Sequence, residues 1–222
     1  MLIVSTIQIP ARLRAKGNDK MKVIDVSSWQ ADDDGNSTVD WQALVDEGIE
    51  GVIIKLGENG KLDDAFTSHA NKAAEYGIKT GVYVYSHASS VEEAKAESCW
   101  TDEQIKMYLN GVCPELGIWF DAEDNDMISG DVTAVCSAFI STLNEKGYQY
   151  VGIYSGWKWL SDESGEQQIH MDQLADYVPY WVAQYNSICD LKNEQPGKLI
   201  RMWQYTDHYS DSLPYDGNEY FE

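Results

Sequence analysis

Short, continuously apolar runs alternate along most of the chain with longer stretches whose apolar positions recur every three or four residues. Runs such as "GVIIK", "GVYVY" and "GIWFD" read as strands buried on both faces of a parallel sheet. The stretches between them read as amphipathic helices. One join recurs in "DEGIEGVIIK", "EYGIKTGVYVY" and "EKGYQYVGIYS": a helical stretch, a glycine, an apolar residue, then a strand. Gly48, Gly77 and Gly147 stand where a helix end takes a left-handed residue. Ser90 and Glu93 in "SSVEEA" have capping-box spacing at the start of a helix. The pattern predicts strands near 22–26, 51–55, 80–85, 117–121 and 150–154, with helices near 39–47, 64–76, 91–109 and 131–146. After about residue 170 the rhythm changes, and "YVPYWVAQY" and "KLIRMWQYT" read as two strands with no helical stretch between them.

Repeated helix-to-strand units predict a parallel α/β fold, either doubly wound or a barrel. No Pro-rich or Ser-rich linker divides the 222 residues, so 21–222 read as a single domain. Met21 opens "MKVIDVSSWQ" like a natural domain start, which leaves 1–20 as an arm or a non-native extension. The apolar head of that stretch has its charges after it and no small-residue cleavage site, so it does not read as a signal peptide. No apolar run is long enough to span a bilayer, and membrane insertion is not expected.

Charge and ring composition narrow the function. With 37 acids against 16 bases the formal charge is −21, which disfavours nucleic acid and anionic membrane as partners. Eight Trp and fourteen Tyr against four Phe favour rings with a polar edge, suited to stacking on sugars while their N–H and O–H groups reach hydroxyls. Cys99, Cys113, Cys136 and Cys189 form no C-x-x-C pair and read as buried thiols. No metal and no cofactor are expected.

Acids collect at the carboxyl ends of the inferred strands, where parallel α/β folds place their sites. Asp25 ends "KVID", Glu58 follows "GVIIK", and "DAEDND" packs Asp121, Glu123, Asp124 and Asp126 into six positions. Asp121 and Glu123 are two apart, so an extended strand puts them on one face with β-carbons roughly 6.5 to 7 Å apart. Such a pair suits glycoside hydrolysis, in which one carboxyl donates a proton and another anion stabilises positive charge at the sugar. Mutual repulsion raises one of the two pKa values and so makes a proton donor. Asp124 is expected to face away from the pair and Asp126 to lie in the loop beyond.

Two other chemistries compete. "DAEDND" offers hard oxygen ligands for calcium or magnesium, although its glycine and glutamate offsets are not those of an EF-hand. Ser155 and Lys158 in "SGWK" match S-x-x-K, and "KTG" occurs at Lys79, Thr80 and Gly81, but in the wrong order for an acyl-transfer enzyme. His69, His87, His170 and His208 show no ligand spacing.

Taken together and in order, "IDVSSWQ", "DAEDN", "GIYSG", "YWVAQY" and "MWQYT" resemble the glycoside hydrolase family 25 lysozymes, from about Met21 to the end. The resemblance implies a modified TIM-like (β/α) barrel of eight strands and about five helices, the late strands lacking theirs. It also implies hydrolysis of the β-1,4 bond from N-acetylmuramic acid to N-acetylglucosamine in peptidoglycan. Glu123 would be the general acid/base with Asp121 beside it, and Asp25 and Asp216 would complete the acidic set. Substrate contacts are expected from Glu58, Tyr83, Tyr85, Tyr154, Trp181, Trp203 and Gln204. Of a covalent and a substrate-assisted route, the ideal strand spacing favours the second. The expected partner is the glycan strand, met at the cell wall by a monomer. An inactive wall-binding barrel and a glucosaminidase or chitinase-like hydrolase are the alternatives.

Overall fold

The computed structural model describes residues 20–221. The expected arm lies outside them except for Lys20, which already belongs to the first strand. In chain order the elements are β1 (Lys20–Val26), α1 (Trp41–Glu47), β2 (Gly51–Glu58), β3 (Lys61–Leu62), α2 (Phe66–Tyr76), β4 (Lys79–Tyr85), α3 (Val91–Tyr108) and β5 (Ile118–Asp121). They continue with α4 (Val132–Glu145), β6 (Val151–Gly156), α5 (Trp157–Leu160), β7 (Pro179–Ala183), α6 (Asp190–Glu194), β8 (Leu199–Thr206) and β9 (Asp216–Phe221).

Local chemistry sets these boundaries. Gly48 and Gly77 close α1 and α2 in the left-handed conformation, with φ of 78° and 67°. Ser90 Oγ accepts from the Glu93 amide and Glu93 Oε2 accepts from the Ser90 amide, so both partners of the capping box at α3 are engaged.

Eight strands close into a barrel. β1, β2, β4, β5, β6, β7 and β8 pair in parallel, and β9 runs antiparallel between β8 and β1 to complete the ring. The two-residue β3 is a hairpin appendage on β2. The sequence pattern did not mark β9, whose "DGNEYF" has no continuous apolar run because its inward positions include Asp216 and Asn218. Late helices shrink to single turns: α5 has four residues, α6 has five, and β8 passes to β9 without one. The α6 turn lies between the two late strands, where a helix-free connection was expected.

Alternation along the strands sorts side chains between two cores. Outward positions such as Ile24, Ile54, Val82, Phe120 and Ile153 pack against the helices. Inward positions form a separate plug of Met21, Val23, Ile53, Leu116, Trp119, Tyr154, Trp181 and Met202. Trp119 meets Trp181 edge-on at 5.9 Å and donates its indole N–H to the Leu116 carbonyl at 2.7 Å. Gly152 makes room for that ring, since a Cβ there would lie 2.6 Å from Trp119 Cζ3.

The reading of all four cysteines as buried thiols needs correction. Cys136 and Cys189 are buried, Cys113 is partly so, and Cys99 is exposed because it lies one step off the buried stripe of α3. None is disulfide-bonded among the described residues. No described helix is long and apolar enough to cross a membrane.

Candidate active site

Above the plug, at the carboxyl ends of the strands, opens a cavity of about 340 Å³. β1 and the turn after it contribute Asp25, Ser27 and Trp29, β2 gives Lys55 and Glu58, and β4 gives Tyr83 and Tyr85. Asp121 and Glu123 come from the end of β5, with Tyr154, Trp181, Gln204 and Asp216 from β6 to β9. Asp25 and Asp216 face each other directly across the β1–β9 ladder, and Asp121 lies between Tyr85 and Tyr154 in register. A larger cavity of about 550 Å³ opens at the other end of the barrel, near Met21, Tyr150 and Arg201. Glu115 is its one acid, so it lacks a carboxyl pair.

A polar network fixes the acids. Gln204 Nε2 donates to Asp25 Oδ2 and to Asp216 Oδ2, each at 3.1 Å, while its Oε1 accepts from the Tyr154 hydroxyl at 3.0 Å. Asn218 donates to Asp25 Oδ2 at 2.7 Å and is itself held by the Trp181 indole N–H at 2.8 Å. Lys55 pairs with Glu58 at 2.6 Å and lies over the Tyr85 ring. Asp121 is only 4% exposed, and its Oδ1 has no hydrogen-bond partner among the described residues. An acceptor buried in this way is costly unless a donor arrives.

Burial and crowding raise Asp25, Asp121, Glu123 and Asp216. Desolvation, then the charge of Glu123, pushes Asp121 well above the usual carboxylate range, against the pull of Lys55. Desolvation and then Asp216 push Asp25 up to about 8, although Asn218 and Gln204 hydrogen bonds oppose the shift. Asp216 rises to about 6, chiefly by burial and then by the charge of Asp207. Glu123 stands at the rim with one edge open, and partial desolvation followed by the Asp124 and Asp216 charges raises it too. Each of the four therefore holds its proton to a higher pH than a free carboxyl, the direction a general acid requires.

Comparison with known proteins fixes the family. A model of glycosyl hydrolases family 25 matches residues 24–212. The chain belongs to glycosyl hydrolase family 25. A comparison with curated proteins gives no significant match. Among solved structures, the modular autolysin LytC of Streptococcus pneumoniae is 26% identical with a TM-score of 0.72. The alignment covers 91% of this chain and 47% of LytC, so the chain spans about half of that protein. The catalytic domain of endolysin ply40 from bacteriophage P40 of Listeria monocytogenes shares 23% identity at a TM-score of 0.68, with 91% and 93% covered. A family GH25 lysozyme from Aspergillus fumigatus shares 20% at 0.68, with 92% and 95% covered. These last two show the common fold.

In this family 25 barrel the expected site residues come together around one cavity, with one exception. All of them line the cavity except Trp203, whose indole points outward and donates to the Gln184 carbonyl at 2.7 Å. Trp203 and Gln204 are neighbours on β8, and a strand cannot turn both into the barrel. Asp124 also departs from expectation. β5 ends at Asp121, so strand alternation stops there, and Asp124 instead caps a short turn and accepts from the cavity's Tyr85 hydroxyl at 2.9 Å.

His87, without ligand spacing in sequence, meets Asp124 at 3.5 Å and Asp126 at 3.6 Å in space. The three offer ligand atoms within 4.8 Å of one another, a geometry open to a cation, and of the two carboxylates Asp124 already accepts from the Tyr85 hydroxyl and the Asp126 amide. The acyl-transfer chemistry does not survive. Ser155 is buried with Oγ donating to the Ala122 carbonyl at 2.6 Å, and Lys158 pairs with Glu166. Sequence reasoning missed Lys55, Ser27, Trp29 and Asn218. A lysine ending the apolar run "VIIK" was a usable signal for the first.

Proposed function

We propose that this chain is a peptidoglycan hydrolase of the N-acetylmuramidase type, cutting the β-1,4 bond from N-acetylmuramic acid to N-acetylglucosamine with net retention. The family membership supports a glycosidase, and the LytC fold has also been solved in complex with a synthetic peptidoglycan ligand, at 25% identity to this chain. The observation that carries the reading is Asp121: a buried carboxyl with one unpartnered oxygen below a second acid at the rim.

In this reading the sugar's 2-acetamido N–H supplies the donor that Asp121 Oδ1 lacks. Its carbonyl oxygen closes on the anomeric carbon as the C1–O bond breaks, and Glu123 gives its proton to the departing oxygen. Ionised Asp121 stabilises the positive charge that develops on the ring so formed. Water then adds to the anomeric carbon while Glu123 takes its proton back, and two inversions restore the β configuration. Asp25 and Asp216, tied together through Gln204, hold the floor of the site. The enzyme works at the cell wall as a monomer, without a cofactor.

The Glu123→Gln variant should fold normally and lose wall hydrolysis by at least about 100-fold, the usual cost of removing a general acid. Full activity in it would overturn the assignment. Borohydride reduction of wild-type digests identifies the bond: reduced muramic acid supports a muramidase, and reduced glucosamine points to a glucosaminidase. Wall binding without any new reducing ends points to a non-catalytic barrel. A glycosyl ester trapped on Asp121 would replace the acetamido route by a covalent one.

A further inference from the structure

Trp29 is 89% exposed, the most exposed large apolar side chain among the described residues. Trp41, Trp119, Trp181 and Trp203 are buried, and Trp100, Trp157 and Trp159 are packed against the core, so Trp29 alone of the eight stands in water. It does so at the edge of the carboxylate cavity. A ring left so open at the edge of an acid-lined cleft offers an uncovered flat face on which a sugar can stack.

Its backbone is held while its ring is free. Trp29 lies in a short 3-10 turn, Ser28–Gln30, whose capping box joins Ser27 and Gln30. Asp63 Oδ2 accepts from the Ser28 amide at 3.1 Å, and the Thr38 amide donates to the Gln30 carbonyl at 2.9 Å. Buried His69 donates from Nε2 to the Ser27 carbonyl at 3.0 Å, which leaves Nδ1 to accept from Ser37 Oγ at 2.9 Å. A carbonyl can only accept, so Nε2 carries a proton, and burial lowers the His69 pKa, which favours the neutral ring with Nδ1 as acceptor. A ring presented on a braced turn loses little freedom on binding.

Position sets its side of the reaction. Glu123 also borders a second cavity of about 380 Å³, formed with Gly156, Trp157, Trp159 and Gln184 around the ends of β6 and β7. In the closed ring β6 lies four strands from β1 in either direction, so this cavity is across the mouth from Trp29. In the reading above the proton of Glu123 goes to the leaving oxygen, and the second cavity, which Glu123 borders on the side away from Trp29, gives the leaving sugar room. The reacting sugar then sits over Asp121, and the chain beyond its non-reducing end runs toward Trp29.

We propose that Trp29 is a stacking platform for a sugar on the non-reducing side of the reacting unit, and that it sets a preference for long glycan strands over short ones. The inference rests on the glycan-hydrolase reading above. It concerns a residue that touches substrate without touching the reacting bond.

The test compares uncrosslinked glycan strands with a disaccharide-length substrate whose single glycosidic bond is the one cut. The ratio of kcat/KM for long over short substrate should fall about tenfold in Trp29→Ala, as expected for loss of one aromatic contact, and recover in part in Trp29→Tyr. In the Glu123→Gln background, glycan strands should shield tryptophan emission from acrylamide, and Trp29→Ala should remove most of that shielding. An unchanged ratio together with unchanged shielding overturns the platform while leaving hydrolysis intact. Failure of the wild type to cut either substrate overturns the underlying reading, and is seen before any Trp29 variant is measured.

Discussion

The inside of the barrel is two regions built from the same strands, one step apart. Val23, Ile53, Trp119 and Met202 belong to the apolar plug, and two residues further along each strand stand Asp25, Lys55, Asp121 and Gln204. Period-two alternation keeps both sets on the inward face, so the face alone does not distinguish a core position from a site position. Height along the barrel axis does. The lower layer closes off the barrel beneath the upper, and burial is the largest cause of the raised proton affinity of Asp25 and Asp121. The plug is therefore part of the chemistry: a hydrated floor would let the carboxyls ionise as ordinary surface acids.

Breaking the lower layer should have the largest effect. Trp119 is fully buried and touches Tyr150 and Trp181 ring to ring. Trp119→Ala should cost about 3–5 kcal/mol of stability, read as a lower urea midpoint. A loss below about 1 kcal/mol would mean that the plug collapses to refill the space, in the range of ordinary substitutions.

A smaller effect sharpens the upper layer. Asp25 ionises near pH 4 in the unfolded chain, as an ordinary aspartate does at about 3.9, but near 8 in the fold. The folded state then holds a proton that the unfolded state has released. Its stabilising contribution is complete below the unfolded pKa and is lost as pH rises through the folded one. Carboxylates with lowered pKa, such as Asp102 and Asp124, contribute with the opposite sign, so the useful quantity is a difference. The stability of Asp25→Asn minus that of wild type should increase from pH 5 to pH 8.5 in denaturant titrations. A difference that stays flat would mean that Asp25 titrates normally and that the floor beneath it is wet.

Much of this layering was legible in the sequence. The strands of the first three-quarters announce themselves because both faces are buried, one by helices and one by the plug, which leaves continuous apolar runs. Asp25 and Asp121 were legible because each terminates such a run. β9 was not, since "DGNEYF" carries Asp216 and Asn218 inward and closes the ring by antiparallel pairing that no apolar pattern records. Asp124 was misjudged because alternation was carried past the end of β5, where a turn takes over. Lys55 was passed over because a lone lysine at a strand end usually faces solvent; here its side chain is largely buried beside Glu58. Trp29 carries no periodic signal, and only a three-dimensional position shows its ring to be uncovered.

The smallest expected effect tests the alternation itself. "MWQYT" offers two adjacent candidates for the cavity, Trp203 and Gln204, and composition alone favours the tryptophan as a sugar-stacking ring. Parity assigns the place to one of them only, and the contacts decide which: Gln204 reaches Asp25 and Asp216, while Trp203 packs beside Tyr205 and bonds the Gln184 carbonyl. Trp203→Phe keeps a buried ring and removes one hydrogen bond, so it should cost about 1 kcal/mol of stability. Wall hydrolysis should stay within about twofold of wild type, the scale of a substitution that leaves the site alone. Turbidity loss of purified walls, measured beside a thermal melt, separates the two quantities. A drop in hydrolysis of tenfold or more with an unchanged melt would put Trp203 in contact with substrate, and would mean that β8 turns its other face to the glycan.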